Sequence, residues 1–122
     1  MAKIDNEYKT IFIDIYGTLI RQVRFEDLDE NNADVLPGVK EKMDSWYEAG
    51  HHIVITTARP EDLRTITENQ LRIANLRYHQ LVMGIGRKER YLINNSEKLT
   101  PEISRAIGIS VKRDEGFENI EI

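Results

Sequence analysis

The sequence predicts an α/β domain whose parallel sheet has about five strands, with helices on both faces. Three observations carry this. Ile11-Phe12-Ile13 and Ile53-Val54-Ile55 are short uninterrupted apolar runs, the pattern of strands buried on both sides. A stretch of helical periodicity follows each run. Each run leads into a polar residue, Asp14 or Thr57, and the carboxyl end of a buried strand is where such folds gather ligands.

The bulk properties fit one domain spanning 1–122, long enough for a single hydrophobic core. A net charge of −4 argues against a broad nucleic-acid footprint. The absence of cysteine excludes disulfides, thiolate metal sites and cysteine nucleophiles. The opening Met-Ala-Lys-Ile-Asp-Asn-Glu has no apolar signal core, and no apolar run approaches the roughly 18 residues of a membrane span. The expectation is a cytoplasmic protein with neither nucleic acid nor membrane as partner.

Residues 1–8 form a polar lead-in, and Thr10–Ile15 is the first strand. Residues 21–34 are charged and weakly patterned. Pro37-Gly38 opens a helix on which Val39, Met43, Trp46 and Tyr47 make one apolar stripe, and Gly50 ends it. His51–Thr57 is the second strand. Its two adjacent histidines point to opposite faces and cannot chelate one ion. Pro60 suits the first position of the next helix, with Glu61 and Asp62 in its positive first turn. That helix, Glu61–Ala74, turns Leu63, Ile66, Leu71 and Ala74 toward the sheet. Tyr78–Met83 is the third strand, ending at Gly84-Ile85-Gly86-Arg87-Lys88, which lacks the third glycine of a nucleotide-binding loop. Arg90–Asn95 is the fourth strand. Leu99–Ile107 is a short helix or turn closed by Gly108, Ile109–Lys112 is a last strand, and Asp114-Glu115-Gly116 is a turn.

Two strand ends carry chemistry. Asp14 is followed by Gly17, whose missing side chain lets the backbone approach a bound anion. Thr57, with Thr56 as the alternative register, places a hydroxyl before a helix whose free N–H groups face the crevice, a ready phosphate site.

Asp14-Ile15-Tyr16-Gly17-Thr18-Leu19 resembles the first motif of the haloacid dehalogenase-like (HAD) superfamily, Asp-x-Asp-Gly-Thr-Leu after an apolar strand. Thr57-Ala58-Arg59-Pro60 resembles its second motif, and Arg90-Tyr91-Leu92-Ile93-Asn94-Asn95 its fourth. The resemblance covers roughly Lys9 to Val111. It implies a three-layer, Rossmann-like fold. The segment before Pro37 is too short for a cap domain, so the site stands open unless a second subunit covers it. Asp14 would be the nucleophile that carries a transient aspartyl-phosphate. Tyr16 replaces the second Asp, the family's general acid and base, and its backbone carbonyl would help hold Mg²⁺. Thr18, Thr57 and Lys88, with Arg87 close behind, would bind the phosphate. Asn94 and Asn95 replace the paired acids of the metal site.

These substitutions weaken the implied chemistry. A tyrosine, with a reference pKa of about 10, donates a proton but activates water poorly at neutral pH. Loss of general acid–base help costs on the order of 10²–10⁴-fold. Amide oxygens bring no negative charge to Mg²⁺, a hard cation that prefers carboxylates, so the metal would be held weakly. The expectation is a phosphohydrolase-type site for a small phosphorylated metabolite, with weak or lost catalysis. Tyr78 onward resembles small HAD hydrolases of saccharide biosynthesis, which suggests a sugar phosphate. Two alternatives stand beside it. One is a non-catalytic domain that binds a phosphometabolite or a protein. The other is a metal-independent dehalogenase, since Asp-x-Tyr-Gly-Thr-Leu is the form those enzymes use, although the chain has no room for their helical cap.

Overall fold

The two apolar runs lie side by side. β1 (Thr10–Asp14) pairs in parallel with β2 (His52–Thr57), which sets Phe12 against Val54 and Asp14 against Thr56. β2 pairs in parallel with β3 (Gln80–Met83), and the sheet order is β1-β2-β3. The structure, a computed structural model, describes residues 8–24, 27, 33–96 and 104–122.

α1 (Val39–Glu48) connects β1 to β2 and buries Val39, Met43 and Trp46, the stripe expected from the spacing. Gly38 at its N-cap has φ 77° and Gly50 beyond its end has φ 89°, so both boundaries use the left-handed backbone that glycine adopts without strain. α2 (Arg64–Ile73) connects β2 to β3, but its entry differs from expectation. Pro60 is extended, at φ −69° and ψ 157°, and the first turn, Glu61–Leu63, is 3₁₀ rather than α. The buried face of α2 also differs: it is Thr67, Gln70 and Leu71, while Leu63, Ile66 and Ala74 are only half-buried.

Right-handed crossovers between sequentially ordered parallel strands carry successive helices to the same side of a sheet. The core reflects this. Ile13, Ile53 and Ile55 share one face and pack with Val39, Met43 and Trp46 of α1 and Leu71 of α2. On the other face Phe12 and Val82 are exposed, while Val54, opposite Phe12, is buried. Among the described residues the architecture is therefore a two-layer α/β unit with three strands, where three layers and about five strands were expected. The reason lies beyond β3. Residues 90–95 form no strand, and Tyr91, Leu92 and Ile93 are exposed, because no neighbouring strand pairs with them. Residues 104–112 are also irregular, so the last strand is absent there. The helix or turn expected at Leu99–Ile107 lies partly outside the described residues, and 104–107 are not helical.

The C-terminal arm is fastened without regular structure. Phe117 is buried beside Trp46, with ring centres 5.9 Å apart, and its N–H donates to the Pro37 carbonyl. Among the described residues no helix is long and apolar enough to cross a membrane.

Candidate functional site

Parallel pairing brings the carboxyl ends of β1 and β2 together, and with them Asp14 and Thr57. After Asp14 the chain winds tightly, with Leu19 and Ile20 both donating to the Ile15 carbonyl. Gly17 takes φ 79° in this turn. The turn folds Thr18 back so that its hydroxyl donates to Asp14 Oδ2 at 3.2 Å. Thr57 is buried on the core face of β2, and its Oγ1 accepts from the Arg59 N–H at 3.2 Å. Thr56 points to the opposite face, toward the Ile13 carbonyl. The register thus favours Thr57.

These residues line a cleft of about 800 Å³ with Tyr16, Gly17 and Arg59. Arg24, Arg87, Arg90 and Arg113 also line it. Asp14 is the one carboxylate among the described lining residues, against five guanidinium groups. The chain as a whole is acidic, so this concentration of positive charge is local.

Arg59 is the least exposed of the five, at 9%. Its Nη1 donates to Thr67 Oγ1 at 2.9 Å and to Gln70 Oε1 at 3.1 Å, and its guanidinium lies over the Tyr16 ring. Among the described residues no carboxylate pairs with it. Burial lowers its pKa from the ordinary value, an effect Tyr16 partly offsets. Both of these bonds come from Nη1, Tyr16 is a further partner, and Arg59 lines the cleft. Tyr16 donates its phenolic proton to Gln70 Oε1 at 2.5 Å. Burial raises its pKa from the ordinary value of 10.0, and nearby Arg59 opposes the shift.

The structure brings Asp14, Tyr16, Thr18, Thr57 and Arg87 to one cleft. It does not bring Lys88, Asn94 or Asn95 there. Lys88 is exposed in the turn after β3, one residue beyond Arg87. Asn94 and Asn95 are exposed and bond each other, because the strand that would carry them to the sheet is missing. Of the expected Mg²⁺ donors, Asp14 and Tyr16 line the cleft and Asn94 and Asn95 do not. A lining of one carboxylate and five guanidinium groups repels a divalent cation, and the residues present do not fit that metal. Arg24, Arg59, Thr67, Gln70, Arg90 and Arg113 are the site residues to which sequence reading gave no role. For Arg59 a signal existed, since it directly follows Thr57-Ala58. For Arg113, nearly a hundred residues from Gly17, none did.

No family model matches the chain, and no curated protein does. A solved structure of a structural-genomics target protein from Vibrio cholerae is similar, with a TM-score of 0.52 and 22% identity. The similarity covers 70% of this chain and 79% of that one. At that identity the likeness concerns the fold alone, and it agrees with the α/β class.

Proposed function

We propose that the cleft binds the phosphate of a small phosphorylated metabolite, and that hydrolysis at Asp14 is slow or lost. The observation that carries this reading is the lining of the cleft: five arginines around one carboxylate in a chain of net charge −4. Guanidinium groups match phosphate oxygens in planar pairs of charge-assisted hydrogen bonds. Thr18 and Thr57 add hydroxyls at the strand ends. We assign Arg59, which lines the same cleft as Asp14, the role expected of Lys88.

Asp14 is the nucleophile available to such a phosphate, and attack by it would form an aspartyl-phosphate. Completing turnover needs a proton for the leaving oxygen and an activated water. Tyr16 is ill suited to both, because its proton is held by Gln70 and burial makes it a weaker acid. The reading carries with it a capless HAD-like family membership, supported by the Asp14–Leu19 and Thr57–Pro60 motifs, and a cytoplasmic location, where phosphorylated metabolites are kept.

The test is binding and turnover side by side. Sugar phosphates and nucleotides are titrated calorimetrically and assayed for phosphate release, with and without Mg²⁺, beside Asp14→Asn. Expected is saturable binding with little release. Release that requires both Mg²⁺ and Asp14 would overturn the claim of weak catalysis. Absence of binding across the panel by folded protein would overturn the phosphate reading.

A further inference from the structure

We propose that the ligand of this cleft carries two anionic groups, and that Arg87, Arg90 and Arg113 hold the second one. The inference rests on the phosphate reading above and extends it. One phosphate is served by the hydroxyls of Thr18 and Thr57 and by Arg59, which line the cleft together. Three further guanidinium groups line the same cleft from two separate segments, Arg87 and Arg90 after β3 and Arg113 on the C-terminal arm. A cleft of about 800 Å³ has room for a ligand much larger than one phosphate.

Three arginines outside the cleft are held in ion pairs. Outside the cleft, Arg21 is paired with Asp34, Arg64 with Glu61 and Glu68, and Arg77 with Asp44 and Glu48. Inside it, Arg24 lies 3.8 Å from Asp27, whereas Arg87, Arg90 and Arg113 have no carboxylate partner among the described residues. In an acidic chain, guanidinium groups gathered in one concave surface present their charge to a ligand.

Arg113 is also held in place. The next residue, Asp114, donates its N–H to the Gly17 carbonyl at 2.8 Å and accepts the Gln22 N–H on Oδ1 at 2.8 Å. The Arg113 stem lies against Gly17, where an added Cβ would come within 2.9 Å of Arg113 Cγ. The arm is thus pinned to the phosphate turn, and the guanidinium reaches the cleft at little further entropic cost.

The experiment titrates inorganic phosphate, pyrophosphate and phosphoglycolate into the full chain by calorimetry at constant ionic strength. Pyrophosphate is expected to bind about tenfold or more tightly than phosphate. In the double variant R90Q/R113Q that ratio should fall toward one. Arg72→Gln removes an exposed charge on α2 away from the cleft and should leave the ratio unchanged. Phosphoglycolate identifies the second group: binding as tight as pyrophosphate assigns a carboxylate, and weaker binding assigns a phosphate. Equal affinities for phosphate and pyrophosphate would overturn this inference and leave the phosphate reading standing. A preference that survives in R90Q/R113Q would also overturn it. Failure of both anions to bind would overturn the phosphate reading and this inference with it.

Discussion

The guanidinium of Arg59 lies 4.1 Å above the ring of Tyr16, and both side chains donate to the same atom, Gln70 Oε1. A buried amide oxygen with two lone pairs satisfies both donors and adds no charge. Tyr16 supplies a ring face, which attracts the cation without neutralising it. The arrangement keeps a positive charge at the wall of the cleft while meeting its hydrogen-bonding needs within the protein.

Gln70→Glu tests that arrangement. The substitution swaps a neutral acceptor for a carboxylate of nearly equal shape. Its charge pairs with Arg59, which offsets much of the cost of burying it. Stability in urea should stay within about 1 kcal/mol of the parent, while phosphate affinity falls about tenfold because the cation is neutralised. Gln70→Leu removes the acceptor from two donors at once and should cost about 2–4 kcal/mol. Undiminished phosphate binding by Gln70→Glu would show that Arg59 does not serve the anion.

Tyr16→Phe removes the phenolic oxygen and leaves the ring under Arg59. If the proton held by Gln70 plays no part in turnover, any residual phosphate release should change by less than about threefold, far from the 10²–10⁴-fold of a lost general acid. The same variant has a signature in alkali. The pKa of Tyr16 is raised by burial, so the folded state holds its proton more tightly than the unfolded state. The resulting stabilisation is complete below the unfolded value of about 10 and is lost as pH rises through the folded value. The urea midpoint of the parent should therefore drop more steeply above about pH 10 than that of Tyr16→Phe. Parallel curves would remove Tyr16 as a source of the alkaline loss.

What the sequence made legible follows from which signals are local. The apolar runs at 11–13 and 53–55 declare strands by composition alone, although Phe12 is exposed, and Asp14 and Thr57 take their places from the ends of those strands. The stripe on α1 is equally plain. Thr67 and Gln70 are different: polar residues on a helix read as its solvent side, and they are buried here because Arg59 and Tyr16 face them. Tyr91-Leu92-Ile93 fails in the opposite way. Three apolar residues look like a strand, but a strand exists only through a partner, and these residues are 86%, 52% and 93% exposed. Losing that strand removes Asn94 and Asn95, two of the four expected metal donors, from the site.

Gly17→Ala separates backbone strain from ligand binding. A residue with a side chain at φ 79° pays about 1–2 kcal/mol. The new Cβ also meets Arg113 Cγ at 2.9 Å, which pushes that side chain aside. Gly50→Ala is the matched control, with φ 89° and a comparable contact to Tyr8 far from the cleft. Both variants should lose similar stability in urea. Only Gly17→Ala should also weaken pyrophosphate binding, and equal binding by the two would mean that the Gly17 turn does not shape the anion site.

The final prediction concerns how the C-terminal arm is fastened. Gly116 has φ 83°, and a Cβ there would lie 2.1 Å from the Pro37 carbonyl oxygen, a backbone atom that cannot swing away. Gly116→Ala therefore has to move the arm, and with it Phe117, from the core. Phe117→Ala leaves the backbone alone and empties the space beside Trp46 instead, at about 3–5 kcal/mol. The chain has one tryptophan, so the fluorescence of Trp46 reports both events without a label. A red-shifted emission is expected in each variant. The two should differ at the cleft, since undocking the arm in Gly116→Ala displaces Arg113 and weakens pyrophosphate binding. Phe117→Ala, with Asp114 still bonded to Gly17, should retain that binding. Loss of pyrophosphate binding in Gly116→Ala without a change in Trp46 emission would break the proposed link between the buried arm and the arginine it carries.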